Sequence, residues 1–160
     1  MREELDKQLC EKYPLIFRDR NGDMMKTAMC WGFSHGDGWY NIIDRLCARI
    51  QGHIEWSHDQ ITWAKRWNEK VNDENEEWVS FAPREERPVP EPVAQVVATQ
   101  VKEKFGGLRF YYSGGDDYIR GAVDMAEEMS YVTCEVCGAP GKSRDGGWIR
   151  TLCDEHAKKD

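Results

Sequence analysis

The sequence predicts an α+β fold, with helices packed on a β-hairpin or small antiparallel sheet and a small cysteine-bearing unit after it. Three observations carry this expectation. Apolar residues recur at steps of three and four over Trp39 to Ile50, Ile61 to Val71 and Ile119 to Met129, which gathers them on helical faces. Between the last two of these, Val93 to Tyr112 is rich in Val, Ala and aromatic residues and is broken by Gly106-Gly107, the pattern of two strands and a turn. Cys134, Cys137, Cys153 and His156 crowd the last quarter of the chain, whereas Cys10, Cys30 and Cys47 are scattered.

The chain has 160 residues, with 22 Lys plus Arg against 29 Asp plus Glu and a formal charge of -7. That length suits one compact α+β domain, residues 1–131, and a short appendage, residues 132–160. An apolar share of 40% and seven Trp exclude general disorder. The acidic balance excludes a broad basic surface that grips nucleic acid by charge alone, leaving room only for a local patch. No run approaches the roughly 18 apolar residues of a membrane helix, and the opening MREELDKQLCEKY has no apolar stretch after its charges. A soluble, cytosolic protein is expected.

In chain order, Glu3 to Tyr13 forms a short helix with Leu5, Leu9 and Cys10 on one side, ended by Pro14. Asp19-Arg20-Asn21-Gly22 is a turn. A helix near residues 39–51 comes next, stopping near Gly52. Ser57 with Gln60 three positions on has the form of a capping box, which starts a second helix over about 58–71. From 72 to 92 the composition shifts to acidic and basic residues with four prolines. Such a stretch buries too little apolar area to offset its ordering entropy, so it reads as a linker or insertion with Trp78 and Phe81 as anchors. Val93 to Phe105 and Leu108 to Tyr112 make the hairpin. Ser113-Gly114-Gly115 ends it, and Asp116 or Asp117 caps a third helix over about 116–130.

Cys134-Glu135-Val136-Cys137-Gly138 is a C-x-x-C-G knuckle, a tight turn that aims two sulfurs at one centre. Fifteen residues later comes Cys153-Asp154-Glu155-His156, whose Cys and His share a face if Cys153 begins a helix. Three thiolates and one imidazole are the donors of a closed, structural, tetrahedral zinc site. A redox C-x-x-C is disfavoured by the lack of a surrounding βαβ pattern, and a disulfide framework by the lack of a secretion signal. About 25 residues are too few for a core of their own, so metal binding is expected to supply their folding energy. Gly146-Gly147 before Trp148 to Leu152 completes a hairpin between the two ligand pairs.

Knuckle, hairpin and ligand-bearing helix together resemble treble-clef zinc fingers over residues 132–158. Val101-Lys102-Glu103-Lys104-Phe105-Gly106-Gly107-Leu108-Arg109-Phe110-Tyr111-Tyr112, then a helix and Thr133-Cys134-Glu135-Val136-Cys137-Gly138, is similar to a group of uncharacterised small bacteriophage and prophage proteins. Cys30-Trp31-Gly32-Phe33 through Gly38-Trp39-Tyr40 fits the same group. The resemblance implies a phage or prophage origin and a bacterial host cytoplasm, and it carries no activity.

Other candidates have plainer readings. His35, His53 and His58 match no ligand spacing that would join Cys30 or Cys47 in a second metal site, and read as surface or core residues. Cys10, Cys30 and Cys47 read as small buried hydrophobes. Ser34-His35-Gly36-Asp37-Gly38 offers amides to an anion before a helix but lacks the lysine and spacing of a P-loop, and reads as a simple loop. Strand alternation puts Leu108, Phe110 and Tyr112 on one face and Arg109 and Tyr111 on the other, so that one face is core. Lys142, Arg144, Arg150, Lys158 and Lys159 form a basic cluster that reads as solvated charge or as phosphate contacts. The leading expectation is a non-enzymatic, zinc-stabilised module that binds and modulates a host or phage protein. A nucleic-acid-binding accessory protein using the finger's basic hairpin is the alternative, and an enzyme built on Cys30, His35 and Asp37 a third.

Overall fold

The computed structural model describes residues 1–73, 85–144 and 147–158. Trp78, Phe81, most of the acidic stretch, Gly146 and Lys159 lie outside the described residues. In order, the elements are α1 (Glu3–Lys12), β1 (Phe33–Ser34), α2 (Tyr40–Asn72), β2 (Val97–Lys104), β3 (Gly107–Ser113), α3 (Asp117–Ser130), β4 (Lys142–Arg144), β5 (Arg150–Leu152) and α4 (Asp154–Ala157). Three short 3-10 turns, Arg18–Asn21, Ala28–Trp31 and Asp37–Trp39, connect α1, β1 and α2. No described helix is long and apolar enough to cross a membrane.

The α+β expectation holds, with one difference in the sheet. Its strand order is β1-β2-β3, and β1 runs parallel to β2, pairing Phe33 with Val101 and Ser34 with Lys102, so the sheet is mixed. The β2-β3 hairpin is antiparallel, with Lys104 opposite Gly107. Its two turn residues, Phe105 and Gly106, have φ of 54° and 78°, the left-handed pair that matches strand twist in a two-residue turn. Alternation sorts the faces as expected: Leu108 and Phe110 are buried and Tyr111 is exposed. Strand β2 begins at Val97 because residues 93–96 are engaged by α2, where the Val93 amide donates to Ser57 Oγ and Gln95 meets Gln51.

The larger correction concerns α2, which replaces the two expected helices, 39–51 and 58–71, with one helix of 33 residues. Ser57 does not cap a new helix; it is buried, and its hydroxyl donates to the Ile54 carbonyl at 2.7 Å. Gly52 does not end the first helix either. A glycine inside a helix costs about 1 kcal/mol, and burial of Ile50 and Ile54 on either side offsets it. The described end of the acidic stretch turns back along α2. Trp67 Nε1 donates to the Glu85 carbonyl, the Asn68 side chain bonds both the amide and the carbonyl of Arg87, and the Arg87 guanidinium lies 4.5 and 4.8 Å from the Trp63 and Trp67 ring centres.

One core joins these elements. Trp39, Ile43, Cys47 and Ile50 meet Val101, Leu108 and Phe110 from the sheet, Ile119 and Val123 from α3, and Leu9, Ile16 and Phe17 from the N-terminal segment. Strand β3 would leave an open edge, but α3 covers it: the Leu108 amide donates to Ser130 Oγ and the Phe110 amide to Glu127 Oε1, both at 2.8 Å. Asp116 is the cap of α3, accepting from the Ile119 amide, and its other oxygen holds His53 at 2.8 Å. Cys47 is wholly buried, in line with its sequence reading, while Cys10 and Cys30 are half-buried. Burial, then the neighbouring Asp6, pushes the Cys10 thiol up to about 12.

His35 sits between the rings of Phe33 and Trp39, with Nδ1 2.8 Å from the Gly36 carbonyl and no partner for Nε2 among the described residues. Burial lowers its pKa from 6.5 to about 4. The unfolded chain therefore binds more protons than the folded one across that window, so stability is lost as pH falls from 6.5 toward 4, by up to about 3 kcal/mol. Urea midpoints measured from pH 7 to pH 4.5 should fall steeply for the native chain, and His35→Phe should flatten that slope.

Candidate metal centre

The site is assembled from two short segments that come together over β5. In the first, Cys134 and Ala139 close a tight turn: the Cys134 amide donates to the Ala139 carbonyl at 2.7 Å and the Gly138 amide to the Cys134 carbonyl at 2.8 Å. Gly138 has φ of 76°, the left-handed conformation that a glycine adopts without strain. In the second, Cys153 precedes α4 in extended conformation and His156 lies on its single turn, as the three-residue spacing requires. Strand β5 carries the chain into it, paired with β4 from Lys142–Leu152 to Arg144–Arg150.

These segments bring together all four residues singled out by sequence. The sulfurs of Cys134, Cys137 and Cys153 and a ring nitrogen of His156 lie within 4.8 Å of one another. Cys137 and Cys153 sulfurs are 3.9 Å apart, and His156 Nδ1 is 3.7 Å from Cys134 and 3.1 Å from Cys153. Tetrahedral bonds of about 2.3 Å to sulfur and 2.0–2.1 Å to nitrogen require separations of about 3.8 Å between sulfurs and about 3.6 Å from sulfur to nitrogen. The Cys137–Cys153 and Cys134–His156 separations match these values while Cys153–His156 is shorter, so the four donors lie together as a possible site for one tetrahedral ion. Soft thiolates with one imidazole suit a borderline or soft transition metal and not calcium or magnesium.

The protein prepares negative charge there. Burial opposes ionisation of Cys134, but the amides of Cys153, Cys137 and Val136 directed at its sulfur outweigh it and bring its pKa down from 9.0 to about 6. The Ala139 amide favours the Cys137 thiolate, yet burial and the sulfurs of Cys134 and Cys153 beside it win, and its pKa is raised. A second thiolate beside the first is thus unfavourable until a cation neutralises the pair.

What sequence reasoning did not find is how this knuckle is seated. Residues 36–38 lie flat against it: the Gly38 amide donates to the Glu135 carbonyl at 2.7 Å and the Gly36 amide to Glu135 Oε1 at 2.9 Å. A side chain on Gly38 would put Cβ 2.1 Å from the Cys134 carbonyl oxygen and 2.5 Å from the Gly138 nitrogen. Trp39 Nε1 donates to the Thr133 carbonyl, and Thr151 Oγ1 to the Gly106 carbonyl in the β2-β3 turn. The glycine-rich loop read as a simple loop with amides for an anion does hold a carboxylate, and that carboxylate is Glu135 of the same chain.

The remaining candidates are engaged separately. Cys30 Sγ donates to the Thr27 carbonyl, Asp37 pairs with Arg2, and His35 is buried as described, so the three do not form a set. Among the described residues no group of His, Cys and acidic side chains other than the C-terminal one has metal-ligand spacing. In the C-terminal basic cluster, Arg144 and Lys142 both pair with Asp154, and Arg150 pairs with Glu135. No protein-family model, curated protein or solved structure matches the chain.

Cys134→Ser or Cys137→Ser should abolish stoichiometric metal binding and lower the melting temperature of the metal-loaded protein, because each removes one donor of four. Metal analysis of the purified variants and melting curves with and without chelator check this; an unchanged metal content and curve would overturn the assignment. Gly38→Ala leaves all four donors in place but forces Cβ into knuckle backbone, so a loss of several kcal/mol in urea unfolding is expected although no ligand is removed.

Proposed function

We propose that the chain is a non-enzymatic accessory protein, of the bacteriophage type its sequence resembles, that binds and modulates a host or phage protein, with a structural zinc ion in a treble-clef-like finger. The observation that carries the reading is the closure of the Cys134, Cys137, Cys153 and His156 set on itself and on the core. Four good donors fill a tetrahedral sphere, whereas a catalytic zinc keeps a position open for water or substrate. The knuckle also turns its buried side onto Trp39 and the Gly36–Gly38 backbone, which is how an ion that holds structure is used.

Support for a protein partner comes from exposed aromatic surface. Trp31, Phe105 and Trp148 are each about two-thirds or more exposed, at 66%, 67% and 72%. Large aromatics are what interface cores recruit. Nucleic-acid binding through Lys142, Arg144 and Arg150 ranks second, because each already meets a carboxylate of the same chain and the whole carries -7.

Pull-down of the tagged, zinc-loaded protein from bacterial lysate, with and without nuclease, tests the reading. One host protein recovered in near-equal amount despite nuclease is expected. Recovery that disappears with nuclease would overturn it in favour of nucleic acid as the bridging ligand.

A further inference from the structure

The end of the β2-β3 hairpin and the residues just before β5 form the two walls of a cleft of about 430 Å³. Lys102, Lys104 and Phe105 line one wall, and Trp148 and Ile149 the other. The walls are pinned together at Gly106: Thr151 Oγ1 donates to its carbonyl at 2.7 Å, and a Cβ at that position would lie 3.2 Å from Ile149 Cγ2. The cleft therefore belongs to neither segment alone. Phe105 and Trp148 are two of the exposed rings noted above, and here they share one recess with Ile149, which is exposed as well.

The charge of the recess is one-sided. Lys102 stands opposite Arg109 in the hairpin, on the face turned away from the buried Val101 and Phe110. Its ammonium lies over the Tyr111 ring, 5.5 Å from the centre, and that of Lys104 over the Phe105 ring at 5.4 Å. These ring contacts hold two cations beside the apolar walls. Neither lysine meets a carboxylate among the described residues. Glu103, the acidic residue among the described lining, is engaged by its own turn, where Oε1 accepts from the Gly106 amide at 2.7 Å.

We propose that this cleft docks an acidic segment of a partner protein, with one large apolar side chain set against Phe105, Trp148 and Ile149 and flanking carboxylates on Lys102 and Lys104. The inference rests on the protein-binding reading above, and it names the surface and the chemistry of the partner. An apolar recess takes the anchor, and the two cations beside it select and orient what flanks that anchor. A nucleic-acid strand fits less well. Two lysines neutralise few phosphates on a chain that carries -7, and one face of each ring on which bases would stack, Phe105 and Tyr111, is covered by an ammonium group.

The test is selection from a random dodecapeptide library on the immobilised full chain, followed by fluorescence anisotropy with the enriched peptides. Those peptides are expected to share one large apolar residue flanked by Asp or Glu. Trp148→Ala, at an exposed position, should weaken their binding by about tenfold or more, and so should Lys102→Glu with Lys104→Glu. Arg45→Glu with Arg49→Glu changes the net charge by the same amount at exposed positions of α2 and should leave binding unchanged. Circular dichroism checks that each variant is folded. Enriched peptides without acidic residues overturn the proposal, as do folded Trp148 and lysine variants that bind as tightly as the native chain. An equal loss in the arginine variant overturns it as well, since the effect is then one of overall charge. A labelled oligothymidylate that binds the native chain more tightly than the peptides, and is lost in the same variants, assigns the cleft to nucleic acid instead. If the pull-down partner is recovered in full by the folded Trp148 and lysine variants, the protein-binding reading stands and the assignment to this cleft falls; a native chain that recovers no partner overturns both.

Discussion

Two backbones lie in direct contact at the centre of this molecule, and most of its architecture depends on that approach. Residues 36–38 and 134–138 pass so close that the side-chain space at Gly38 is filled by carbonyl and amide atoms of the knuckle. Backbone groups brought together that way must be satisfied, and here the amides of Gly36 and Gly38 go to Glu135 while the indole of Trp39 goes to Thr133. Trp39 is wholly buried at the start of α2, and β1 lies just before the loop. The sheet edge, the long helix and the Cys/His cluster are therefore fixed to one another through about five residues.

Glu135 shows how electrostatics serves this junction. Its side chain is buried, which is unfavourable for a bare charge. The Gly36 amide and the Arg150 guanidinium meet its two oxygens, one from the main body and one from β5. Glu135, one of the two residues between the knuckle cysteines, is thus the link through which loop, knuckle and second ligand strand are bound together. An ion held by the four donors would require knuckle and β5 to keep their positions and would be coupled to the same link.

The parts legible in sequence were those set by local covalent spacing. C-x-x-C and C-x-x-H place donors by turn and helix geometry alone, so Cys134, Cys137, Cys153 and His156 could be named without a fold. The β2-β3 hairpin and the cap at Asp116 were legible for the same reason, although the turn falls on Phe105-Gly106, one residue before the expected Gly106-Gly107, and Gly107 already pairs with Lys104 in β3. What was not legible depended on tertiary partners. Ser57 has the chemistry of a cap, but a hydroxyl also serves inside a helix when a returning strand needs an acceptor, and the Val93 amide supplies that need. Gly36 and Gly38 look like a loop open to a phosphate until Glu135, about a hundred residues later, occupies it. Lys142, Arg144 and Arg150 look like a free basic patch until Asp154 and Glu135 fold beside them.

The same distinction explains why α2 is longer than its sequence pattern suggests. Beyond Ile54 the core no longer covers the helix, and of its later residues only Ser57 and Ala64 are buried. An isolated helical arm of that length in water is marginal. Its second half is instead braced by chain that returns to it: Arg87 over Trp63 and Trp67, Asn68 on the Arg87 backbone, and Val93 on Ser57. A stretch whose composition reads as a linker thus supports the helix from which it departs. Charge and proline content describe what such a segment cannot do alone, and the aromatic face of the helix decides what it does in place.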